Sequence, residues 1–286
     1  MQNADVVERL KDLLDPCELC PRLCRVHRRG GELGFCRTGA NAQVASAGPH
    51  PGEERVLSGR HGSGTIFFAG CNLRCVFCQN WDISHEQAGR EASAREVADT
   101  MLALERRGCH NINFVTPTHV AHVVAEAVAH ARAAGLCVPV VYNCGGYERV
   151  ETLRLLSGLV DIYMPDVKFF DPQASVRYCH ARDYPEVVRA AVQEMHRQKG
   201  DLRMQAGLAV QGLLVRHLVM PGRAREGCAI MGFLADEVSS ATYVNVMGQY
   251  RPCYEAEAYP DLDRRPARPE IEAVREHARN RGLRLD

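Results

Sequence analysis

From Thr65 onward, short runs of β-branched and aromatic residues alternate with longer amphipathic stretches. Strands that alternate with helices are typical of βαβ units, whose strands lie parallel in one sheet. Six such repeats predict an α/β protein built as an open, partial (β/α)6 barrel. The apolar runs place the predicted strands at 65–69, 111–115, 138–142, 159–164, 213–220 and 242–247.

The helices between these strands carry their own start and stop signals. The first begins with a capping box, Ser93 to Glu96, and should end at Gly108. The next should end at Gly135, another begins around Tyr147, and a long one covers 185–198. After a Pro- and Arg-rich stretch, a last helix is predicted over 269–281, packed on the barrel or covering its opening.

The pattern divides the chain into three parts. Residues 1–60 predict an N-terminal helix and a small cysteine-rich segment, 61–250 the barrel, and 251–286 a C-terminal tail and helix. Within the first part, four cysteines and three glycines predict a turn-rich knuckle on which four sulfurs converge on a metal. Zinc and an auxiliary iron–sulfur cluster both fit these thiols, which are Cys17, Cys20, Cys24 and Cys36.

A second group of cysteines follows the first predicted strand directly. Cys71, Cys75 and Cys78 are spaced CX3CX2C, with Phe77 before the last. Three thiols on one loop can bind three irons of a cubane cluster and leave the fourth iron open. The alternatives are zinc with a distant fourth ligand and a coincidental grouping. A disulfide framework is disfavoured in a long chain that starts without a signal peptide.

Composition narrows the functional classes. The 286 residues include 35 basic and 35 acidic side chains, and this zero net charge argues against a large nucleic-acid-binding face. No apolar stretch approaches the ~20 residues that span a bilayer, and the charged start, 1–15, is unlike a secretory leader. We therefore expect a cytoplasmic protein without membrane partners, in which 13 cysteines indicate metal chemistry.

Function in parallel barrels gathers at the carboxyl ends of the strands. After the second predicted strand, Thr116 has the character of a helix N-cap and Pro117 suits the first helical position. A helix start offers backbone N–H groups to a carboxylate, although every βα unit also needs a plain helix start. Thr118 and, after the third strand, Asn143 are further candidates for binding a cofactor.

The fourth and fifth predicted strands end in charged residues. Asp166 and Lys168 share one strand face, where they either pair with each other or position a cofactor or substrate. On the next strand Arg216 and His217 point to opposite faces, so one of them must face the barrel interior. Only three lysines occur in the chain, so Lys168 is of particular interest.

Taken with this element order, the CX3CX2C loop resembles that of radical S-adenosylmethionine (AdoMet) proteins, in the group related to pyruvate formate-lyase activating enzyme. The resemblance covers nearly the whole chain and implies a radical AdoMet barrel. It implies that Cys71, Cys75 and Cys78 bind a 4Fe-4S cluster, that Phe77 lies near the adenine, and that Asp166, Lys168 and His217 lie near AdoMet. The segments that carry it, besides the loop, are 17–24, 62–68, 111–119, 183–186 and 243–252.

In two places the chain departs from the activating enzymes themselves. Thr116-Pro-Thr118 stands where those enzymes have Gly-Gly-Glu, so Thr116 or Thr118 would replace that element. The additional cysteines precede the radical loop, whereas activating enzymes with auxiliary clusters carry them after it.

The resemblance implies an oxidoreductase that cleaves AdoMet reductively to a 5′-deoxyadenosyl radical, which abstracts hydrogen from a substrate. A flavodoxin or ferredoxin would supply the electron. The first substrate hypothesis is a protein or peptide, as in glycyl-radical enzyme activation. A small-molecule substrate and a non-catalytic zinc scaffold are the alternatives.

Overall fold

The computed structural model describes residues 3–86 and 88–286; Met1, Gln2 and Gln87 lie outside the described residues. The strands are β1 Ala42–His50, β2 Ser63–Phe68, β3 Arg90–Ala92, β4 Ile112–Val115, β5 Val140–Cys144, β6 Ile162–Pro165, β7 Arg203–Gln205, β8 Leu208–Leu218, β9 Tyr243–Met247 and β10 Arg284–Leu285. The helices are α1 Asn3–Asp12, α2 Arg55–Ser58, α3 Trp81–Ser84, α4 Ala94–Arg106, α5 Ala121–Ala133, α6 Val150–Leu156, α7 Pro172–Cys179, α8 Tyr184–Lys199, α9 Ala224–Phe233 and α10 Arg268–Asn280. Among these residues, no helix has the length and apolar character needed to cross a membrane.

One twisted sheet organises the fold, in the order β10-β9-β8-β6-β5-β4-β2-β1-β3, with β7 paired to β8. The strands from β2 to β9 along this order pair in parallel, and helices connect them. These are the six predicted strands, so the α/β prediction is confirmed. The sheet does not close, which gives a partial barrel like the one predicted.

The inner face of the sheet changes from apolar to polar along the strands. Towards the amino ends, Ile162, Met164, Leu214 and neighbouring apolar side chains form a buried cluster. Beyond them, towards the carboxyl ends, the same strand faces carry Asp166 and Arg216, which are adjacent across β6 and β8. The polar end of the barrel interior is therefore where binding chemistry can occur.

Strand β1 was not among the predicted elements. It pairs antiparallel with β2 and with β3, and its pairing with β2 contains a bulge between Val44 and Ser46. The sequence Ala42–His50 has no run of large β-branched residues, so its strand conformation depends on these two neighbours.

Of two helix starts predicted from local sequence, one is confirmed and one is wrong. The capping box at α4 is confirmed, because Ser93 Oγ accepts from the backbone of Glu96 and Glu96 reaches back to Ser93. The predicted N-cap at Thr116 is wrong. Thr116 has φ +59°, and α5 starts only at Ala121, after a short 3-10 turn over Thr118–Val120.

Candidate functional site

A cavity of about 280 Å³ lies at the carboxyl ends of the parallel strands. Its wall combines the thiol loop after β2 with side chains from β2, β4, β5, β8 and β9 and from the segment that follows β6. Of the residues that the sequence indicated, the wall contains Cys71, Cys75, Phe77, Cys78, Thr116, Asn143, Asp166 and Lys168.

The thiol loop begins where β2 ends. Gly70, at φ +85°, turns the chain out of the strand, a backbone conformation that suits glycine. Within the loop the backbone N–H of Leu73 donates to Cys71 Sγ at 3.3 Å, and Ser84 Oγ donates to Cys78 Sγ at 3.2 Å. Hydrogen bonds of this kind stabilise thiolates and so favour metal ligation.

The surroundings of the thiol loop have opposing effects on the pKa values of its cysteines. Burial, together with the neighbouring Cys75, raises the pKa of Cys71 to about 12. The thiol of Cys179, with its Sγ 3.2 Å from Cys75 Sγ, is the main reason that the pKa of Cys75 is raised, and burial adds to it. The ammonium of Lys168 acts in the opposite direction on Cys75 and Cys78. The cavity wall contains two cations, Lys168 and Arg216, and the charge of Lys168 favours the thiolate forms of Cys75 and Cys78.

Lys168 and Asp166 form a close pair in the cavity wall. Lys168 Nζ lies 2.5 Å from Asp166 Oδ2, and the two side chains are 16% and 27% exposed. Burial alone would lower the pKa of Lys168, but Asp166, together with Cys75 and Tyr184, more than offsets it and the pKa is raised. The mutual pairing expected from the sequence and the position in the cavity wall thus occur together.

Arg216 contributes a second buried charge network, which the sequence did not reveal in full. Its guanidinium donates to Glu53 and Glu54, and Asn245 Nδ2 donates to Glu54 Oε1 at 2.8 Å. Burial would raise the pKa of Glu54, yet Arg216 holds it below its usual value. No spacing signal links Glu53 and Glu54 to β8, since 162 positions separate Glu54 from Arg216.

The glycine pair after β5 permits a close approach of two backbones, as its sequence position allowed. A Cβ on Gly146, which has φ +76°, would lie 2.4 Å from the carbonyl oxygen of Asp166. The Tyr184 hydroxyl lies 2.9 Å from the carbonyl oxygens of Gly145 and Asp166 and accepts from Lys168 N at 3.0 Å. This hydroxyl holds the ends of β5 and β6 together beneath the cavity.

Two of the expected cofactor contacts do not lie in the cavity wall. Thr118 is buried behind it, where its hydroxyl donates to Glu148. His217 is buried on the outer face of β8, with Nδ1 2.8 Å from the Val167 carbonyl oxygen and Nε2 next to Gly227 of α9. Burial lowers the pKa of His217. Alternation along β8 directs Arg216 inward, so His217 must face outward.

The four N-terminal thiols lie close together, outside the cavity. Burial raises the pKa of Cys20, and the nearby Cys36, Cys17 and Cys24 raise it further. Arg28 is only 2% exposed; its guanidinium donates to the Gly39 carbonyl at 2.6 and 3.1 Å and lies 3.9 Å from Cys17 Sγ.

Both cysteine groups have donor sets suited to metals. The described cysteines form no disulfide bonds with one another. Across residues 3–86 and 88–286, no three His, Cys, Asp or Glu side chains are preassembled at ligand distances. The thiols nevertheless lie on short loops with neighbouring cations, Lys168 at one group and Arg28 at the other, which favour the thiolate forms that ligate metals.

Comparison with known proteins shows the family to which this chain belongs. Residues 65–222 match the radical SAM superfamily. An uncharacterized protein of Methanocaldococcus jannaschii is 34% identical over 98% of this chain and 79% of its own length. A pyruvate formate-lyase-activating enzyme of Listeria monocytogenes is 27% identical over 39% of this chain and 49% of its own length.

Solved structures show the same fold at low identity. Streptococcus suis SuiB superposes with a TM-score of 0.53 at 10% identity, over 76% of this chain. SuiB has also been solved with S-adenosylmethionine and with its precursor peptide SuiA, at TM-scores of 0.54 and 0.51. This chain spans 47% of SuiB, about half the length of that structure.

Proposed function

The chain belongs to the radical SAM superfamily, and from that premise we propose that Cys71, Cys75 and Cys78 hold a 4Fe-4S cluster beside AdoMet in the cavity. When bound, these groups supply a 5′-deoxyadenosyl radical that abstracts hydrogen from a substrate. The observation that carries the proposal is the position of the three thiols in one cavity wall with Asp166 and Lys168. A flavodoxin or ferredoxin completes the proposal, because reductive cleavage of AdoMet consumes one electron, which a donor must supply.

The cavity residues divide the work of binding. Lys168, Asp166 and Asn143 offer one cation, one carboxylate and one amide to the polar ends of AdoMet. Thr116, whose left-handed backbone turns at the cavity wall, offers backbone groups where the pyruvate formate-lyase activating enzymes have an acidic element. The apolar side chains of Phe67, Phe77, Leu218 and Met247 exclude water from the reacting centre.

We propose a protein or peptide as the substrate. Trp81 and Tyr254 stack at 5.7 Å on the surface and are 37% and 38% exposed. Trp81 begins the helix α3, whose last two residues, Ile83 and Ser84, line the cavity. Exposed aromatic pairs of this kind are common where proteins bind partners. The pair would hold a chain segment at the cavity mouth.

A small-molecule substrate is the second candidate, supported by Met247 and Gln249 in the cavity wall. Tyr250 packs edge-on against Phe77 and donates to the Leu262 carbonyl at 2.8 Å. A Trp81→Ala/Tyr254→Ala variant separates the two candidates. A peptide substrate predicts that modification is lost while AdoMet cleavage without substrate persists; a small molecule predicts that both persist.

Electron paramagnetic resonance of the anaerobically reconstituted, reduced protein tests the cluster directly. We expect a cluster signal that changes when AdoMet is added and that is absent from a Cys71→Ala/Cys75→Ala/Cys78→Ala variant. Cys137→Ser, at an exposed thiol, is the control and should retain both the signal and its change. Wild-type protein that folds but shows no such signal would overturn the proposal and favour a zinc scaffold.

We also propose a second metal centre, zinc or iron–sulfur, on Cys17, Cys20, Cys24 and Cys36. Its support is the buried Arg28, whose described hydrogen-bond partners are a carbonyl and a thiol, not a carboxylate. A buried cation without a counter-charge is costly. Four metal-bound thiolates carry a net negative charge and would provide that counter-charge. Metal analysis of the Cys71→Ala/Cys75→Ala/Cys78→Ala variant, which keeps the four N-terminal thiols, tests the site.

A further inference from the structure

The loop that carries Cys20 and Cys24 is hydrogen-bonded directly to the radical-cluster loop. Arg22 lies between these two cysteines, and its Nε donates to the Asn72 carbonyl at 2.7 Å. Asn72 follows Cys71 immediately. The same guanidinium donates to the carbonyls of Cys179, at 3.0 Å from Nη2, and of His180.

The two further carbonyls belong to a segment that contacts another cluster cysteine. Cys179, at the end of α7, has its Sγ 3.2 Å from Cys75 Sγ. Beside it, Val76 N donates to the Tyr178 carbonyl at 3.0 Å, so the end of α7 is fixed to the cluster loop. Arg22 therefore connects the N-terminal thiol site with the backbone around both Cys71 and Cys75.

The segment that carries Cys36 also contacts Arg22. Phe35, next to Cys36, lies beneath the guanidinium of Arg22, with Cζ 3.9 Å from the ring centroid. A stacked cation holds its hydrogen-bonding plane in one orientation. Arg22 is therefore held by both segments of the N-terminal thiol site, the one that carries Cys20 and Cys24 and the one that carries Cys36.

A second contact joins the two sites without any charge. A Cβ on Gly70 would lie 2.8 Å from the carbonyl oxygen of Cys36 and 2.7 Å from Thr38 Oγ1. Gly70 immediately precedes Cys71, so the chain that carries Cys36 lies directly against the start of the cluster loop. A displacement of either segment must displace the other, because close-packed interiors leave no room between them.

We propose that the two cysteine sites form one coupled unit, in which metal bound by the N-terminal thiols positions the cluster loop through Arg22 and the Cys36–Gly70 contact. The inference rests on the second metal centre proposed above. Arg22 is a positioning residue: it acts on the cluster through the backbone of its loop. Thermodynamic coupling is reciprocal, so each centre raises the affinity of the other by the same factor.

Arg22→Gln tests the coupling, because it removes the clamp and keeps all four N-terminal thiols. We expect the N-terminal metal to remain, while the 4Fe-4S cluster is lost to a chelator about fivefold faster or more and its spectral change with AdoMet broadens. Arg22→Lys, which keeps the charge but not the three-carbonyl geometry, should recover only part of the retention. Arg25→Gln is the matched control: it lies on the same segment, 72% exposed, and should behave as wild type.

A second variant tests the coupling from the other side. Cys20→Ser/Cys24→Ser should weaken cluster retention by a similar factor, with the circular dichroism spectrum unchanged. The inference is overturned if Arg22→Gln or Cys20→Ser/Cys24→Ser protein retains the cluster as wild type does, or if wild-type protein loads the cluster fully with no N-terminal metal. In these outcomes the cluster itself is present, so the proposed function stands. Absence of any cluster from folded wild-type protein would instead refute that function.

Discussion

Asn111 and Asn113 lie two positions apart, and their side-chain amides differ in hydrogen bonding. Both are buried, but neither amide atom of Asn113 has a hydrogen-bond partner among the described residues. Asn111, in contrast, accepts from Ser63 Oγ at 2.5 Å and donates to the Leu57 carbonyl at 2.8 Å. An unsatisfied buried amide costs free energy, and an apolar group of the same shape removes that cost.

Asn113→Leu should therefore raise the free energy of unfolding, by about 1 kcal/mol. Asn111→Leu, the matched control, should lower it by about 1–3 kcal/mol, because it leaves Ser63 and the Leu57 carbonyl without a partner. Urea unfolding monitored by circular dichroism measures both. Equal destabilisation by the two substitutions would contradict the prediction.

Glu148 is the residue for which we expect a pH effect on stability near neutrality. Burial raises its pKa to about 7, even though Thr118, Cys144 and Tyr142 donate hydrogen bonds to it. The folded protein thus holds a proton that the unfolded chain, with a carboxyl pKa of about 4.3, releases. This stabilisation is complete below the unfolded pKa and is lost as the pH rises towards 7.

Glu148→Gln should remove this dependence. The free energy of unfolding of wild type should fall by up to about 3 kcal/mol more than that of the variant between pH 4.5 and 7.5. Urea titrations across that range measure the difference. Parallel curves for the two proteins would show that Glu148 is ionised when folded.

The positions of some of the site residues could be predicted from the sequence, and those of others could not. Strand alternation was enough to place Asp166 and Lys168 together at one strand end. For Arg216 and His217 it predicted opposite faces but not which face is inner, because that depends on the pairing of β8 with β6 and β9. The contact of Thr118 with Glu148 depends on the 3-10 turn before α5, which the Thr-Pro-Thr motif does not specify.

Among the elements, strand β8 is attached by buried ion pairs to the segment that precedes helix α2. Arg216 is 15% exposed and pairs with Glu53 and Glu54, which are 6% and 1% exposed. Glu54 precedes the short helix α2, so the ion pairs attach that helix to the inner face of β8. Breaking a buried pair leaves uncompensated charge, which is far more costly than losing an exposed pair.

Arg216→Met should accordingly lower the free energy of unfolding by about 3–5 kcal/mol. Arg90→Met is the control. It removes an exposed pair with Glu96, in which the side chains are 73% and 48% exposed, and should cost less than about 1 kcal/mol. Denaturant midpoints at constant slope measure both. A cost for Arg216→Met no larger than for Arg90→Met would show that the pairs contribute little.

Across the whole molecule, the N-terminal segment is packed on the barrel helices. Lys11 Nζ lies 3.0 Å from Glu126 of α5, Arg149 donates to the Glu18 carbonyl at 2.6 Å, and Thr152 of α6 donates to the Leu19 carbonyl at 2.8 Å. Composition indicated the segment, but not these contacts. They join residues more than 100 positions apart, and no local pattern encodes such a pairing.

This packing predicts that the N-terminal metal stabilises the whole chain. A metal that binds only the folded segment adds its binding free energy to unfolding, and the contacts with α5 and α6 transmit that gain to the barrel. In the Cys71→Ala/Cys75→Ala/Cys78→Ala background, where only the N-terminal site remains, a strong chelator should lower the thermal midpoint by at least a few degrees. Adding Cys20→Ser/Cys24→Ser to that background should abolish the chelator effect and lower the midpoint without it. If the chelator leaves the thermal midpoint of both proteins unchanged, the N-terminal segment folds without metal. The charge of Arg28 must then be compensated by another group.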